Sequence, residues 1–217
     1  METLLPLRPG QVKNCPEGGF VVATLERTMR KANLGAPIRV YNATGTQVQE
    51  LKGHANYVRS LAFNGDSEII SGSFDGTAKR WNLDGSCVET LKTNHEGCVS
   101  CVMGVPGSSR IITGSSGSKV ENGRSNAKLR VWESAASGTV LKGTPRSEHS
   151  DNVRGLAMLG KTGLFASCSN DGTILIRTLG DGSVVKSIDM PNHPALNRMS
   201  LVYNIVQYVV VSSHTHD

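Results

Sequence analysis

Apolar residues in this chain fall in short runs of strand length, cut by turns rich in glycine, serine and aspartate. No long stretch shows the spacing of about 3.6 residues that marks an amphipathic helix. The clearest unit is Ser71-Gly72-Ser73-Phe74-Asp75-Gly76-Thr77-Ala78-Lys79-Arg80-Trp81-Asn82, with Gly53-His54 ahead of it. Ser-Gly-Ser closes one predicted strand and Thr77 to Trp81 makes the next. Asp75-Gly76 reads as a two-residue hairpin turn, because glycine tolerates positive φ and Asp bonds its own backbone. Val58 to Phe63 supplies the strand before them. The pattern predicts an all-β chain.

The unit recurs. Ser71 follows His54 by 17 residues, Asp75 follows by 4 more and Trp81 by another 6. After His149 come Ser167 at 18, Asp171 at 4 more and Arg177 at 6 more. Thr113 follows His95 by 18, but Trp132 lies 19 further on. Removing residues Gly117 to Ser125 restores the register and puts Asn126 in the place of Asp75. In a weaker first unit, Phe20 to Thr24 and Ile38 to Asn42 flank a basic insertion, Glu26 to Asn33, that carries Arg27, Arg30 and Lys31. A period of about 40–45 residues opening on Gly-His and closing on an aromatic strand end resembles the blades of a WD-repeat β-propeller. The resemblance implies one domain over 1–217, with four-stranded blades near 1–50, 51–92, 93–146 and 147–190 and the start of a fifth in 191–217. Leu201 to Val211 reads as an unpaired apolar strand, an edge open to self-association. Three arrangements fit: four blades closing alone, a fragment of a larger ring, or an arc capped by a partner.

A buried polar chain explains the spacing. His54 in the entry loop can bridge Asp75 and Ser71, and Ser71 can accept the Trp81 indole N–H, so the four groups satisfy one another. Ser, His and Asp also make a catalytic triad. An array repeats its staple and not its active site, so the set reads as structural and no residue is assigned a catalytic role. Arg177 stands in the tryptophan position of its unit, which predicts an incomplete staple and a looser blade.

Composition narrows the function classes. Net charge is +5 with a pI near 9.0. The lysines and arginines are spread out instead of forming a stripe, which argues against nucleic acid. Of five cysteines, Cys15, Cys87, Cys98, Cys101 and Cys168, the pair Cys98-x-x-Cys101 has no second CxxC and no helix start. It reads as two packed thiols, and neither metal nor cofactor is implied. An odd cysteine count, with no secretory leader in Met1 to Gly10, points to the cytoplasm, the nucleus also being compatible. There the sequon Asn42-Ala43-Thr44 is silent. No run is long and apolar enough for a membrane helix. Gly155 to Thr162 fits GxxxxGK[ST] by letter, but it lies between two predicted strands with no helix to follow, so it reads as a hairpin turn.

Both insertions enter at the Asp turn, on the face where the His loops also lie. Positions three and five after each His are expected on that face: Tyr57 and Arg59, Cys98 and Ser100, Asn152 and Arg154. Phe74 and Asn170, just before the Asp, join them. Loops on a rigid scaffold carry binding, and Tyr, Phe and Arg have hot-spot chemistry. The competing reading packs Tyr57 and Phe74 between blades. Ser71 to Trp81, and Asn152 to Ala157 with Ser167 to Asp171, resemble the N-terminal propeller of the phospholipase A2-activating protein family, a ubiquitin-binding factor of the AAA-ATPase segregase pathway. Phe20 to Tyr41 leading into Leu51-Lys52-Gly53-His54 is similar to its second blade. The insertions and Arg177 depart from that pattern. The resemblance implies a non-enzymatic scaffold that binds ubiquitin or ubiquitinated proteins through this upper face. The alternative reading, from the basic insertions, is a generic WD-repeat scaffold for an acidic peptide or RNA.

Overall fold

The computed structural model describes residues 8–14, 18–25, 37–93, 95, 97–117, 127–135, 138–143, 149–160, 162–190, 196–202 and 208–213. The first insertion, all but Gly117 of the second, and Cys15, Asn126 and Lys161 lie outside the described residues.

Every element among the described residues is a strand. Four antiparallel sheets of four strands follow one another along the chain. The first holds β1 (Arg8–Asn14), β2 (Phe20–Leu25), β3 (Ile38–Tyr41) and β4 (Gln47–Leu51). The second holds β5 (Val58–Asn64), β6 (Glu68–Ser73), β7 (Thr77–Asn82) and β8 (Cys87–Lys92). The third holds β9 (Val99–Gly104), β10 (Arg110–Ser115), β11 (Leu129–Ala135) and β12 (Gly138–Gly143). The fourth holds β13 (Val153–Met158), β14 (Leu164–Ser169), β15 (Thr173–Thr178) and β16 (Val184–Asp189). A hairpin, β17 (Leu196–Val202) with β18 (Tyr208–Ser213), comes last. The chain is thus all-β, four blades of a WD-repeat propeller and the first two strands of another. The single unpaired strand expected over Leu201 to Val211 is corrected: β18 pairs with β17, which starts at Leu196. Among the described residues no helix is long and apolar enough to cross a membrane.

The strand pleat sends neighbouring residues to opposite faces, and the core follows from that. On β6, Ile69 packs with Val21, Ile38 and Leu51 of the first sheet, while Ile70 packs with Val99, Val102 and Ile111 of the third. Ile111 and Ile112 divide in the same way on β10, Ile112 meeting Val153 and Phe165 of the fourth sheet. Apolar layers therefore fill the gaps between successive sheets, and the first strands β1, β5, β9, β13 and β17 lie side by side in chain order. In the second and third sheets the residue after the staple hydroxyl, Gly72 after Ser71 and Gly114 after Thr113, controls this approach. A Cβ on Gly72 would stand 2.7 Å from Val99 Cγ1 of the third sheet, and one on Gly114 would stand 3.0 Å from Val153 Cγ1 of the fourth. Glycine there lets the next inner strand close against the sheet.

Two features recur that alternation does not announce. Each inner strand carries a bulge, with Arg59, Ser100 and Arg154 as the extra residue at the same place in the second, third and fourth sheets. Each outer strand carries another, which expels Val48, Val88 and Val185 to solvent at 56%, 47% and 59% exposure. Bulges of this kind bend a strand and re-aim one side chain.

Candidate functional site

In the second and fourth sheets the loop before the inner strand and the turn between the second and third strands meet at one end. The turn is not the two-residue type expected. Gly76 N–H donates to Ser73 O at 3.3 Å, and Gly76 sits at φ 80°. Phe74-Asp75-Gly76 is therefore a three-residue loop, a tight turn closed by a left-handed glycine. Asp75 Oδ1 anchors it by accepting Thr77 N–H at 2.8 Å and Thr77 Oγ1–H at 2.6 Å. Asn170-Asp171-Gly172 repeats the arrangement, with Gly172 N–H donating to Ser169 O at 3.2 Å.

The expected tetrad is assembled in the second blade. His54 Nδ1 is 2.7 Å from Asp75 Oδ2 and His54 Nε2 is 2.7 Å from Ser71 Oγ. Trp81 Nε1–H donates to Ser71 Oγ at 2.8 Å. The indole can only donate, which assigns the remaining protons: Ser71 donates to Nε2, and the Nδ1 proton goes to the carboxylate. Ser71 is fully buried, as is Trp81, which fits a brace inside the blade. Burial alone would raise the Asp75 carboxyl, but hydrogen bonds from His54 and Thr77 outweigh it and hold it well below the usual carboxylate range.

The other blades vary the brace one member at a time. In the fourth, His149 Nε2 lies 2.9 Å from Ser167 Oγ and Nδ1 lies 3.1 Å from Asp171 Oδ2. Burial again opposes ionisation of Asp171, and His149 and Thr173 overcome it, bringing the carboxyl down to about 2. Arg177 does not leave the staple open, as expected from its place; it is 1% exposed, and its Nε–H reaches Ser167 Oγ at 3.4 Å while Nη1 donates to Gly182 O at 3.1 Å. The guanidinium takes over the donor role of the indole, more loosely. In the third blade, Trp132 Nε1–H donates to Thr113 Oγ1 at 3.0 Å and His95 Nε2 is 3.1 Å from the same oxygen. Arg130 Nε–H, 3.4 Å away, faces His95 Nδ1. Burial first, then the charges of Arg130 and Lys128, push the imidazole down to about 3, so it stays neutral.

The residues predicted for the upper face lie around these braces. Phe74 N–H donates to Tyr57 O at 2.9 Å and Asn170 N–H donates to Asn152 O at 3.1 Å, so each loop residue is joined to the residue three after its His. The Tyr57 and Phe74 rings meet edge to face at 6.5 Å, and Phe74 is 46% exposed. They stack on each other at the rim. Arg154 Nε–H donates to Asn170 Oδ1 at 2.9 Å. Arg59 holds the equivalent bulge position in the second blade and is half-buried. Ser100 does not join this face. It is buried, and its hydroxyl donates to Gly114 O at 3.1 Å and approaches Val153 O at 2.5 Å across to the next blade. Cys98 remains at the rim, 3.1 Å from Ser116 Oγ.

The remaining motifs resolve as packing and turns. Cys101 and Cys168 are buried, and burial pushes both thiols up to about 12. Gly155 to Met158 lies on β13, and Thr162 Oγ1–H caps Leu159 O before β14 begins, so the phosphate-loop lettering spells a hairpin turn.

The profile of the family described as WD domain, G-beta repeat matches residues 45–82 and 141–177. These two stretches are WD40 repeats. Each runs from the last strand of one sheet through the first three of the next, and so takes in His54 with Asp75 and His149 with Asp171. The chain is also similar to fungal WD-repeat proteins. It is 39% identical over 97 residues to the nuclear distribution protein PAC1-2 of Uncinocarpus reesii, an alignment covering 43% of this chain and 21% of that protein. It is 36% identical over 73 residues to the nuclear distribution protein nudF 2 of Penicillium rubens, covering 32% and 16%. The nudF 2 of Aspergillus clavatus gives 36% over 72 residues, covering 32% and 17%. The chain thus spans about a fifth or less of the curated relatives it matches. The likeness to the ubiquitin-binding segregase factor rests on the blade motifs alone.

Proposed function

We infer that this chain is a non-enzymatic interaction scaffold, one propeller domain over 1–217 whose upper face, built by Tyr57, Arg59, Phe74, Asn152, Arg154 and Asn170, receives a protein or peptide partner in the cytoplasm. One observation carries the reading: the Tyr57–Phe74 pair is held at the rim by its own backbone hydrogen bond, with Phe74 nearly half exposed. A rigid aromatic anchor costs little entropy to immobilise, which is why such residues dominate binding hot spots. The tetrads supply the rigidity and no chemistry.

Two sources nominate the partner. The resemblance to the segregase factor nominates ubiquitin or a ubiquitinated protein, in ubiquitin-dependent turnover or sorting. The nuclear distribution relatives nominate a partner of that system instead. Titrating isotope-labelled ubiquitin with the chain decides between them. Shifts that saturate, and that weaken in Phe74→Ala, support ubiquitin; an unchanged spectrum at millimolar protein removes it and leaves the scaffold reading to the nuclear distribution side.

A further inference from the structure

We propose that the fourth blade, β13 to β16, is a local-opening unit: it detaches and closes again while the second blade stays shut, and Arg177 sets how often. The first ground is the group that closes the brace. In the second and third blades the donor to the staple hydroxyl is an indole, Trp81 at 1% exposure and Trp132 at 6%. In the fourth it is a guanidinium at 1% exposure. Opening puts an indole into water, which opposes the opening. Opening returns a guanidinium to water, which its charge favours. That holds even for a well-partnered buried cation, since apolar side chains of similar volume often replace buried ionic groups with no loss, or with a gain, of stability. Burial of Arg177 thus works towards the open state, and burial of Trp81 towards the closed one.

Two further differences fall on the same blade. Its brace is longer at each link. Arg177 Nε–H reaches Ser167 Oγ at 3.4 Å, against 2.8 Å for Trp81 on Ser71 and 3.0 Å for Trp132 on Thr113. His149 stands 3.1 Å from Asp171 and 2.9 Å from Ser167, where His54 has 2.7 Å to both of its partners. The residue after the staple hydroxyl differs as well. Gly72 and Gly114 let the next inner strand close in, but the same place in the fourth blade is taken by Cys168, which is fully buried. β17, which lies against β13 and β14, therefore docks over a thiol instead of a glycine. Local opening draws on the segments with the weaker contacts, and all three differences mark the fourth blade. Asn152, Arg154 and Asn170 stand on it, so each opening takes them out of the upper face.

The blade carries its own reporters. Cys101 packs in the layer between the third and fourth sheets, and Cys168 packs on the other side of the fourth. Closed, both are buried and their thiols are pushed up to about 12, so they are inert; opened, they react as ordinary thiols. The test is labelling of the full chain with iodoacetamide, each cysteine followed by peptide mass spectrometry, from zero urea to the unfolding midpoint. Exposed Cys87 gives the rate of an open thiol. Cys101 and Cys168 should label together, and below the midpoint their rate should rise with urea less steeply than the global unfolding constant does. Arg177→Trp should slow both by about tenfold, and Arg177→Met, which removes the charge without adding a ring, should slow both as well. Asp171→Ala should speed both by about tenfold. Asp75→Ala, the same change in the second blade, should move the unfolding midpoint and leave labelling at low urea unchanged. A general weakening of the fold would make the two Asp variants alike. Labelling with the full urea dependence of global unfolding, either thiol reacting well ahead of the other, or rates unchanged or faster in both Arg177 variants overturns the proposal.

Discussion

Removing the Asp75 carboxylate tests how much the polar brace stabilises a blade. Asp75→Ala strips the acceptor from four donors: His54 Nδ1 at 2.7 Å, Ala55 N–H at 2.9 Å, Thr77 N–H at 2.8 Å and Thr77 Oγ1–H at 2.6 Å. Their fates differ. Ala55 is exposed, so water replaces that bond. His54 has a fallback acceptor in Thr77 Oγ1, 3.3 Å from Nδ1. The Thr77 amide and hydroxyl lose their acceptor inside the turn, and the turn loses the group that shapes it. One or two under-satisfied, partly buried groups correspond to a loss of about 1–3 kcal/mol. Urea unfolding followed by tryptophan fluorescence measures it, with Trp81 reporting from within the brace. His54→Ala and the double variant complete a cycle, and a coupling above about 0.5 kcal/mol is expected for groups in one hydrogen-bonded chain. Asp84→Ala is the control: Asp84 caps a turn with Ser86 in the same way, but at the surface. An Asp75→Ala loss no larger than that of Asp84→Ala, with no coupling to His54, refutes the brace as a source of stability.

The acid side should show the same brace without mutation. Asp75 and Asp171 are held below their ordinary value of 3.8 in the folded chain, so on the acid side the unfolded chain binds more protons than the native state. Stability should therefore be complete above about pH 5 and fall as pH drops through 4 towards 2. Urea midpoints across that range check it, and the fall should flatten in Asp75→Asn with Asp171→Asn. Gly72→Val should destabilise by about 1–3 kcal/mol through overpacking against Val99 and Val102. The urea midpoint should move and the slope should not; a stability equal to the parent means the inter-blade gap is not tight there.

What could be read from the residues, and what could not, divides along one physical line. The braces were legible because His, hydroxyl, carboxylate and indole must satisfy one another at fixed strand spacing, and few other residue types can do so. The Gly72 and Gly114 positions were visible only as letters in that pattern; their reason, the close approach of Val99 and Val153, belongs to the neighbouring blade. The bulges were not legible. A bulge adds one residue to one strand, and that offset is visible only when the partner strand is in view. Ser100 was misplaced for that reason: counted from His95 it matches Arg59 and Arg154, but a short hydroxyl at the bulge turns back to Val153 O, whereas a long guanidinium continues outwards. Arg177 failed differently. Substituting a cation for tryptophan looks like the loss of the brace, until the guanidinium is seen to need only one N–H on Ser167 to keep the chain of donors intact. In this fold the identity of a side chain tells what it can bond, while the bulge and the neighbouring blade decide which way it faces. The upper face, where function is sought, is where those two kinds of information must be combined.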